Sequence, residues 1–287
     1  MTKLKGLLLT EGMHGMISQV EGLAKALDLN FIHEKIELNN FWKLIPPKIT
    51  PIQDFVFKNK IMNIHIQDPK VSLNNFDFVV VPEHDGLNGK NVLKSKGAIH
   101  YLREDELNKD IDYLKPQINK QKVVSLIIGG PNRYYDFNEK EINSIFQKVK
   151  KNFINEGFQL ILIPSMRTPQ NIIELSKNFF DSSQIIISEV DKKAYLSSLK
   201  LADYIIVTCN STSMISEAAI TGKPIYVAQM TPIKKNKRFT KFFELFKSLN
   251  IIKDLSNSIE NWNYKKLNET DRISIYIKDK IKNYEFS

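Results

Sequence analysis

Residues 208–227 read TCNSTSMISEAAITGKPIYV. Asn210, Ser211, Thr212 and Ser213 stand where an apolar run gives way to a helical pattern. One helix cap needs one such residue. Four in a row put hydroxyls beside the free N–H groups of a helix start, the composition of a cradle for phosphate. Ordinary capping is the plain alternative. With Ser213 as cap, Glu217 falls one position beyond the place an acid takes in a capping box. It has no capping duty, and a carboxylate there can accept two hydrogen bonds from a ribose diol. A surface ion pair is the other reading.

Two more loops follow apolar runs in the same half of the chain. IGGPNR (128–133) offers Gly129 and Gly130, where backbone can approach a ligand, and the donors Asn132 and Arg133. PSMRTP (164–169) offers Arg167, with Thr168 as the expected helix cap and Pro169 as the first helical residue. A tight turn and a solvated arginine are the alternatives.

The first half carries LLLTEGMHGMISQVEGLAKAL (7–27), in which Gly12 and Gly15 frame His14 and are followed by Gln19. This is not the GxGxxG dinucleotide fingerprint. It still puts a glycine loop and the ionisable groups Glu11 and His14 at a strand end, where they are the candidates for a general base. Asp68, Glu83, His84 and Asp85 lie at two further strand ends. Neighbouring ligands in sequence rarely converge on one ion and no HExxH-like spacing is present, so no metal is expected. Turn and capping roles suit these acids.

These residues need elements to hold them. Strand-like runs fall at 4–9, 30–36, 61–66, 78–82, 123–128, 159–164, 184–187, 203–208 and 224–228. Helical patterns fall at 17–27, 104–114, 138–155, 170–179, 192–200, 213–221, 238–249 and 268–283. Several strands are unbroken apolar runs, the mark of parallel strands covered on both faces. The alternation implies βαβ units. Residues 39–60 contain three prolines and no clear strand. A boundary is expected at Pro116, giving an N-terminal domain over 1–116, a C-terminal domain over 117–262 and a final helix within 263–287.

The chain has 287 residues, 42% hydrophobic, and a formal charge of +9, which suits an anionic partner. Its single cysteine, Cys209, excludes an internal disulfide and fits a reducing compartment. Leu7, Leu8 and Leu9 are too short a run for a signal peptide core, and no stretch approaches a membrane span. A cytoplasmic protein is expected, with peripheral contact at the inner face of a membrane. The stretch 234–249, KKNKRFTKFFELFKSL, supports that contact. Lys234, Lys235, Lys237, Arg238 and Lys241 crowd a helix start, where the dipole disfavours cations, ahead of one phenylalanine face. A buried phenylalanine face with solvated lysines is the alternative.

Taken together, IQDPKVSLNNFDFVVVPEHD (66–85), GAIH (97–100), IGGPNR, RTP (167–169), VTCNSTSMISEAAITGKPIYV (207–227) and WNYKKLNET (262–270) resemble the family named for the plant mitochondrial fission factor whose loss gives elongated mitochondria. The resemblance spans most of the chain. It implies a glycosyltransferase-B-like architecture, with two Rossmann-like domains facing a cleft and a C-terminal helix crossing back to the first. SEAAITGKP is also similar to the nucleotide-sugar-binding segment of the bacterial enzyme that adds N-acetylglucosamine to lipid-linked peptidoglycan precursors. There an acid in the position of Glu217 holds the ribose. In the first loop, Met16 and Ser18 replace the family's histidine and asparagine while Gln19 is kept. Residues 46–62 are too short for a further strand and helix, so the first domain is expected to lack one βα unit.

The resemblance thus implies a metal-independent nucleotide-sugar glycosyltransferase acting on an envelope or lipid-linked acceptor, with no cofactor beyond its donor substrate. The competing class is a non-catalytic adaptor that keeps the fold and uses its surface. A nucleic-acid partner has no motif or aromatic–basic platform to support it.

Overall fold

The computed structural model describes residues 3–37, 61–256 and 258–282. It divides into two compact units, residues 1–101 with 268–287, and residues 102–267.

The second unit is built on a six-stranded parallel sheet. Its strands are β6 (Lys122–Ile128), β7 (Phe158–Pro164), β8 (Ile185–Ile186), β9 (Tyr204–Thr208), β10 (Ile225–Ala228) and β11 (Ile252–Asp254). Spatial order is β11-β10-β9-β6-β7-β8. Between them run α3 (Glu139–Val149), α4 (Gln170–Phe179), α5 (Lys192–Leu201), α6 (Thr212–Ala218) and α7 (Lys237–Ser248). The apolar runs become strands because both faces are covered: all seven residues of β7 are buried, as are Val124, Leu126, Ile127 and Ile128 of β6. α3 continues into a π-helical turn, Lys150–Ile154, which buries Phe153. The short strand β11 has no alternation of its own and is held by pairing with β10.

Residues 102–117 belong to this unit, ahead of and including Pro116. Helix α2 (Glu104–Lys109) gives way to two 3₁₀ turns, Ile111–Tyr113 and Lys115–Gln117, rather than running on to 114. Ser197 of α5 ties this segment down, donating to the Ile111 carbonyl at 2.9 Å and accepting from the Leu114 N–H at 3.1 Å.

In the first unit β1 (Lys5–Thr10) pairs in parallel with β2 (Asn30–Lys35). β3 (Ile64–Ile66), β4 (Phe78–Pro82) and β5 (Val92–Ser95) form a second parallel sheet. Helices α1 (His14–Ala26) and α8 (Glu269–Lys282) complete it, with Leu23, Leu27, Val80, Ile99, Ile273 and Ile277 as the core. The Thr270 hydroxyl locks α8 to the chain before it, donating to the His100 carbonyl at 2.8 Å and accepting its N–H at 3.0 Å. The expected loss of a βα unit at 46–62 lies mostly outside the described residues.

Candidate functional site

The chain order of the six-stranded sheet reverses beside β6. From β6 it proceeds through β7 to β8 on one side, then resumes with β9, β10 and β11 on the other. Connections leaving β6 and β9 therefore diverge, and the crevice at their carboxyl ends is where open α/β sheets receive ligands. The two loops there are 128–133 and 208–213.

Side chains weld these loops together. Thr208 accepts the Gly129 N–H at 2.8 Å and donates to Asn210 Oδ1 at 2.7 Å. The Asn210 amide donates to the Gly130 carbonyl. Asn132 donates to the Asn210 carbonyl at 3.0 Å, and its own Oδ1 accepts from Tyr134 and Tyr135 N–H at 2.8 and 3.0 Å. The β7 loop joins them. Thr168 accepts the Ser165 N–H at 2.8 Å and donates to the Gly129 carbonyl at 2.7 Å. Both glycines are forced: a Cβ on Gly129 would stand 2.5 Å from Asn210 Oδ1, and one on Gly130 only 1.8 Å from the Arg167 carbonyl oxygen.

The candidate residues thus separate into two groups. Asn132, Asn210 and Thr168 shape the loops, because their polar atoms are engaged within the protein. Thr168 is also not the cap of α4: Pro169 holds that position, and the Thr168 hydroxyl turns back to the 128–129 backbone instead. Ser211, not Ser213, caps α6, accepting the Met214 N–H at 3.4 Å. Its hydroxyl hydrogen is left to donate elsewhere. Thr212 and Ser213 follow, half-buried. Arg133 and Arg167 are exposed on the flanking loops. Neighbouring protein atoms desolvate the Arg167 guanidinium and lower it from the ordinary arginine value, yet arginine remains charged at neutral pH.

Glu217 lies one turn into α6, half-buried. Its Oε2 accepts from the Tyr195 hydroxyl of α5 at 2.7 Å. Tyr195 was not evident in the sequence, where it reads as one more residue of an amphipathic helix. Lys223 of the Gly222-Lys223-Pro224 turn has a structural duty. Its ammonium donates to the Leu199 carbonyl at 3.2 Å and to that of Lys200, closing the carboxyl end of α5. Burial lowers it to about 8. Cys209, fully buried, has its thiol pushed up to about 11 by the same cause, and its sulfur accepts the Met230 N–H at 3.3 Å. That environment keeps it a protonated packing group at neutral pH.

In the first unit Gly12 takes the left-handed conformation, φ 86°, and donates its N–H to Thr10 Oγ1 at 3.1 Å. Gly15 has open space where a Cβ would stand. Glu11 and His14 are exposed beside this turn, with His14 opening α1. Gln19 is buried and accepts from the Gln67 amide at 3.1 Å, which joins α1 to the loop after β3. Asp68 is paired with Lys70. His84 and Asp85 are packed against each other, Nε2 to Oδ1 3.5 Å, whereas Glu83 is exposed. Among the described residues no three His, Cys, Asp or Glu side chains converge as a metal site would require. No helix among them is long and apolar enough to cross a membrane.

Known proteins resemble this chain in sequence and in fold. The sequence profile of the family described as Mitochondrial fission ELM1 matches residues 55–281. An uncharacterized protein of Rickettsia prowazekii (strain Madrid E) is 27% identical over 301 residues, covering 88% of this chain and 85% of its own. The Mitochondrial fission protein ELM1 of Arabidopsis thaliana is 25% identical over 238 residues, covering 72% of this chain. The match spans 55% of that plant protein. Among solved structures, S. aureus MnaA with UDP aligns at TM-score 0.51 and 14% identity, covering 98% of this chain and 97% of its own. A candidate UDP-N-acetylglucosamine 2-epimerase from Listeria monocytogenes aligns at TM-score 0.50 and 11% identity, covering 99% and 98%. At such identities the likeness is one of fold: α/β units with parallel sheets, Rossmann-like, of the glycosyltransferase-B kind.

Proposed function

The chain belongs to the mitochondrial fission ELM1 family, and on that premise we propose that it is a nucleotide-sugar-dependent glycosyltransferase whose second unit holds the donor diphosphate. The observation that carries this reading is the welded crevice between β6 and β9, with hydroxyls, two arginines and one carboxylate around its loops. Ser211, Thr212 and Ser213 donate to the phosphates, and Arg133 and Arg167 offset the charge of the leaving diphosphate. Glu217, steadied by Tyr195, accepts from the ribose diol. Asn132, Asn210 and Thr168 keep the loops in shape, and Gly129 and Gly130 let those loops pack against one another. His14 or Glu11 serves as general base toward an envelope or lipid-linked acceptor. The UDP bound in the S. aureus structure lends support to a uridine nucleotide as the first ligand to try.

Thermal unfolding in the presence of UDP-, GDP-, ADP- and CMP-sugars tests the reading. One nucleotide series should raise stability by about 2.7 kcal/mol at a hundredfold excess over its dissociation constant. Unchanged melting with all four would exclude a donor site. A second reading, an adaptor that retains the fold without turnover, is favoured by the kinship with the Arabidopsis fission protein. Nucleotide binding without any sugar transfer or donor hydrolysis would select it.

A further inference from the structure

Several lysines of the second unit have acidic partners: Lys109 with Glu106, Lys247 with Asp254, Lys253 with Glu260 and Lys266 with Glu104. One surface gathers cations outside any such pair. Among the described residues no ion pair joins Arg133, Lys234, Lys235, Lys237 or Lys241 to a carboxylate, and all five are exposed. Residues 231–238, Thr-Pro-Ile-Lys-Lys-Asn-Lys-Arg, contain no acid. Glu141 meets the loop at its base, where it accepts the Thr231 N–H at 2.8 Å.

The loop is pinned. Ile233 donates its N–H to the Tyr134 carbonyl at 2.7 Å, and Tyr135 bridges Pro232. The Tyr134 ring carries the Arg133 guanidinium at 4.7 Å and the Lys234 ammonium at 5.5 Å, with its flank against Phe239 of α7. Phe242 and Phe246 anchor that helix in the core. The cations are therefore presented together by a braced surface, which lowers the entropy lost on binding. At its tip Ile233 is 63% exposed, a large aliphatic side chain among lysines.

We propose that this surface docks the protein on a bilayer rich in anionic headgroups, with Ile233 entering the headgroup–acyl boundary and Lys234, Lys235, Lys237 and Lys241 facing the phosphates. Chemistry selects this partner over a soluble phosphate. The charges are spread along a loop and a helix rather than converging on one point, and an exposed isoleucine adds nothing to a phosphate grip. It gains by burial in a membrane interface. Single-stranded nucleic acid would need an open aromatic face for base stacking. Tyr134 is occupied by two cations and Phe239.

The test is co-sedimentation of the full chain with phosphatidylcholine vesicles, with and without phosphatidylglycerol, at low and high salt. Binding to the anionic vesicles alone, lost at high salt, is expected. Lys234→Gln, Lys235→Gln and Lys237→Gln together should lower partitioning by about a hundredfold, roughly fivefold per lysine. Ile233→Ser should lower it severalfold at unchanged charge. All these side chains are exposed, so the variants should melt with the native chain. Absence of binding to anionic vesicles at low salt overturns the proposal, as does equal binding by the triple variant or by Ile233→Ser. Displacement by inorganic phosphate at matched ionic strength, or tighter binding of a single-stranded RNA, also overturns it. The nucleotide reading is measured separately by melting and survives any of these results.

Discussion

The Tyr195 hydroxyl donates to Glu217 Oε2 at 2.7 Å, joining α5 to α6 beside the crevice at which the sheet order reverses. The bond orients the carboxylate before any ligand arrives. Glu217→Ala should weaken a nucleoside diphosphate by roughly 1.5–3 kcal/mol, the size of a hydrogen bond to a charged group. Tyr195→Phe should cost less, about 0.5–1.5 kcal/mol, because it removes only the orienting bond. Calorimetry on the two variants checks the order. Equal affinity in Glu217→Ala and the native protein would remove Glu217 from the site.

Gly130→Ala places a methyl group 1.8 Å from the Arg167 carbonyl oxygen, a contact backbone cannot yield without moving a loop. Overpacking of this kind costs roughly 1–3 kcal/mol or more. Urea unfolding should show that loss, and nucleotide affinity should fall with it, because the loops after β6 and β7 would separate. Gly15→Ala, which meets open space, is the control and should leave both nearly unchanged.

Asn210→Ala breaks the bonds to Thr208 and Gly130 at a position only 2% exposed. It leaves a buried hydroxyl and a buried carbonyl wanting partners, at about 1–3 kcal/mol each in desolvation. A stability loss larger than that of Ser213→Ala is therefore expected in chemical denaturation. The contrast separates a residue that shapes the loop from one that faces a ligand.

Lys223 sets a pH dependence. Its value is lowered in the folded state to about 8 from an ordinary 10.5. Below pH 8 both states are protonated and Lys223 adds no slope. Between 8 and 10.5 the unfolded chain binds the proton and the folded one does not, so this group makes stability rise with pH. Above 10.5 its contribution levels off. Unfolding free energies of the native protein and Lys223→Met, measured across that window, should differ in slope in this direction. Parallel curves would mean that the lysine is better solvated than its two carbonyl partners suggest.

Much of the second unit was legible in its residues. β6, β7, β9 and β10 fall on unbroken apolar runs, because strands covered on both faces must be apolar at every position. Their following loops were legible too, since glycines and small hydroxyl residues interrupt the apolar pattern where chain direction changes. Glu217 stood out for the same local reason, an acid with no capping duty. The short strands β5 and β11 were not legible: lysines interrupt VLKS and IKD, leaving no apolar run, and their pairing with β4 and β10 is what makes them strands. Nor could local spacing separate Asn132, Asn210 and Thr168, which brace the loops, from Ser211, Thr212 and Ser213, which are left beside the crevice. Hydrogen-bond partners decide that, and they come from segments remote in sequence: Asn132 from Asn210, Thr168 from Gly129, Tyr195 from Glu217. The sequence alone determined where polar chemistry could stand. Which of those groups is consumed in holding the backbone was decided only by folding, because a buried polar atom takes whatever partner packing brings within reach.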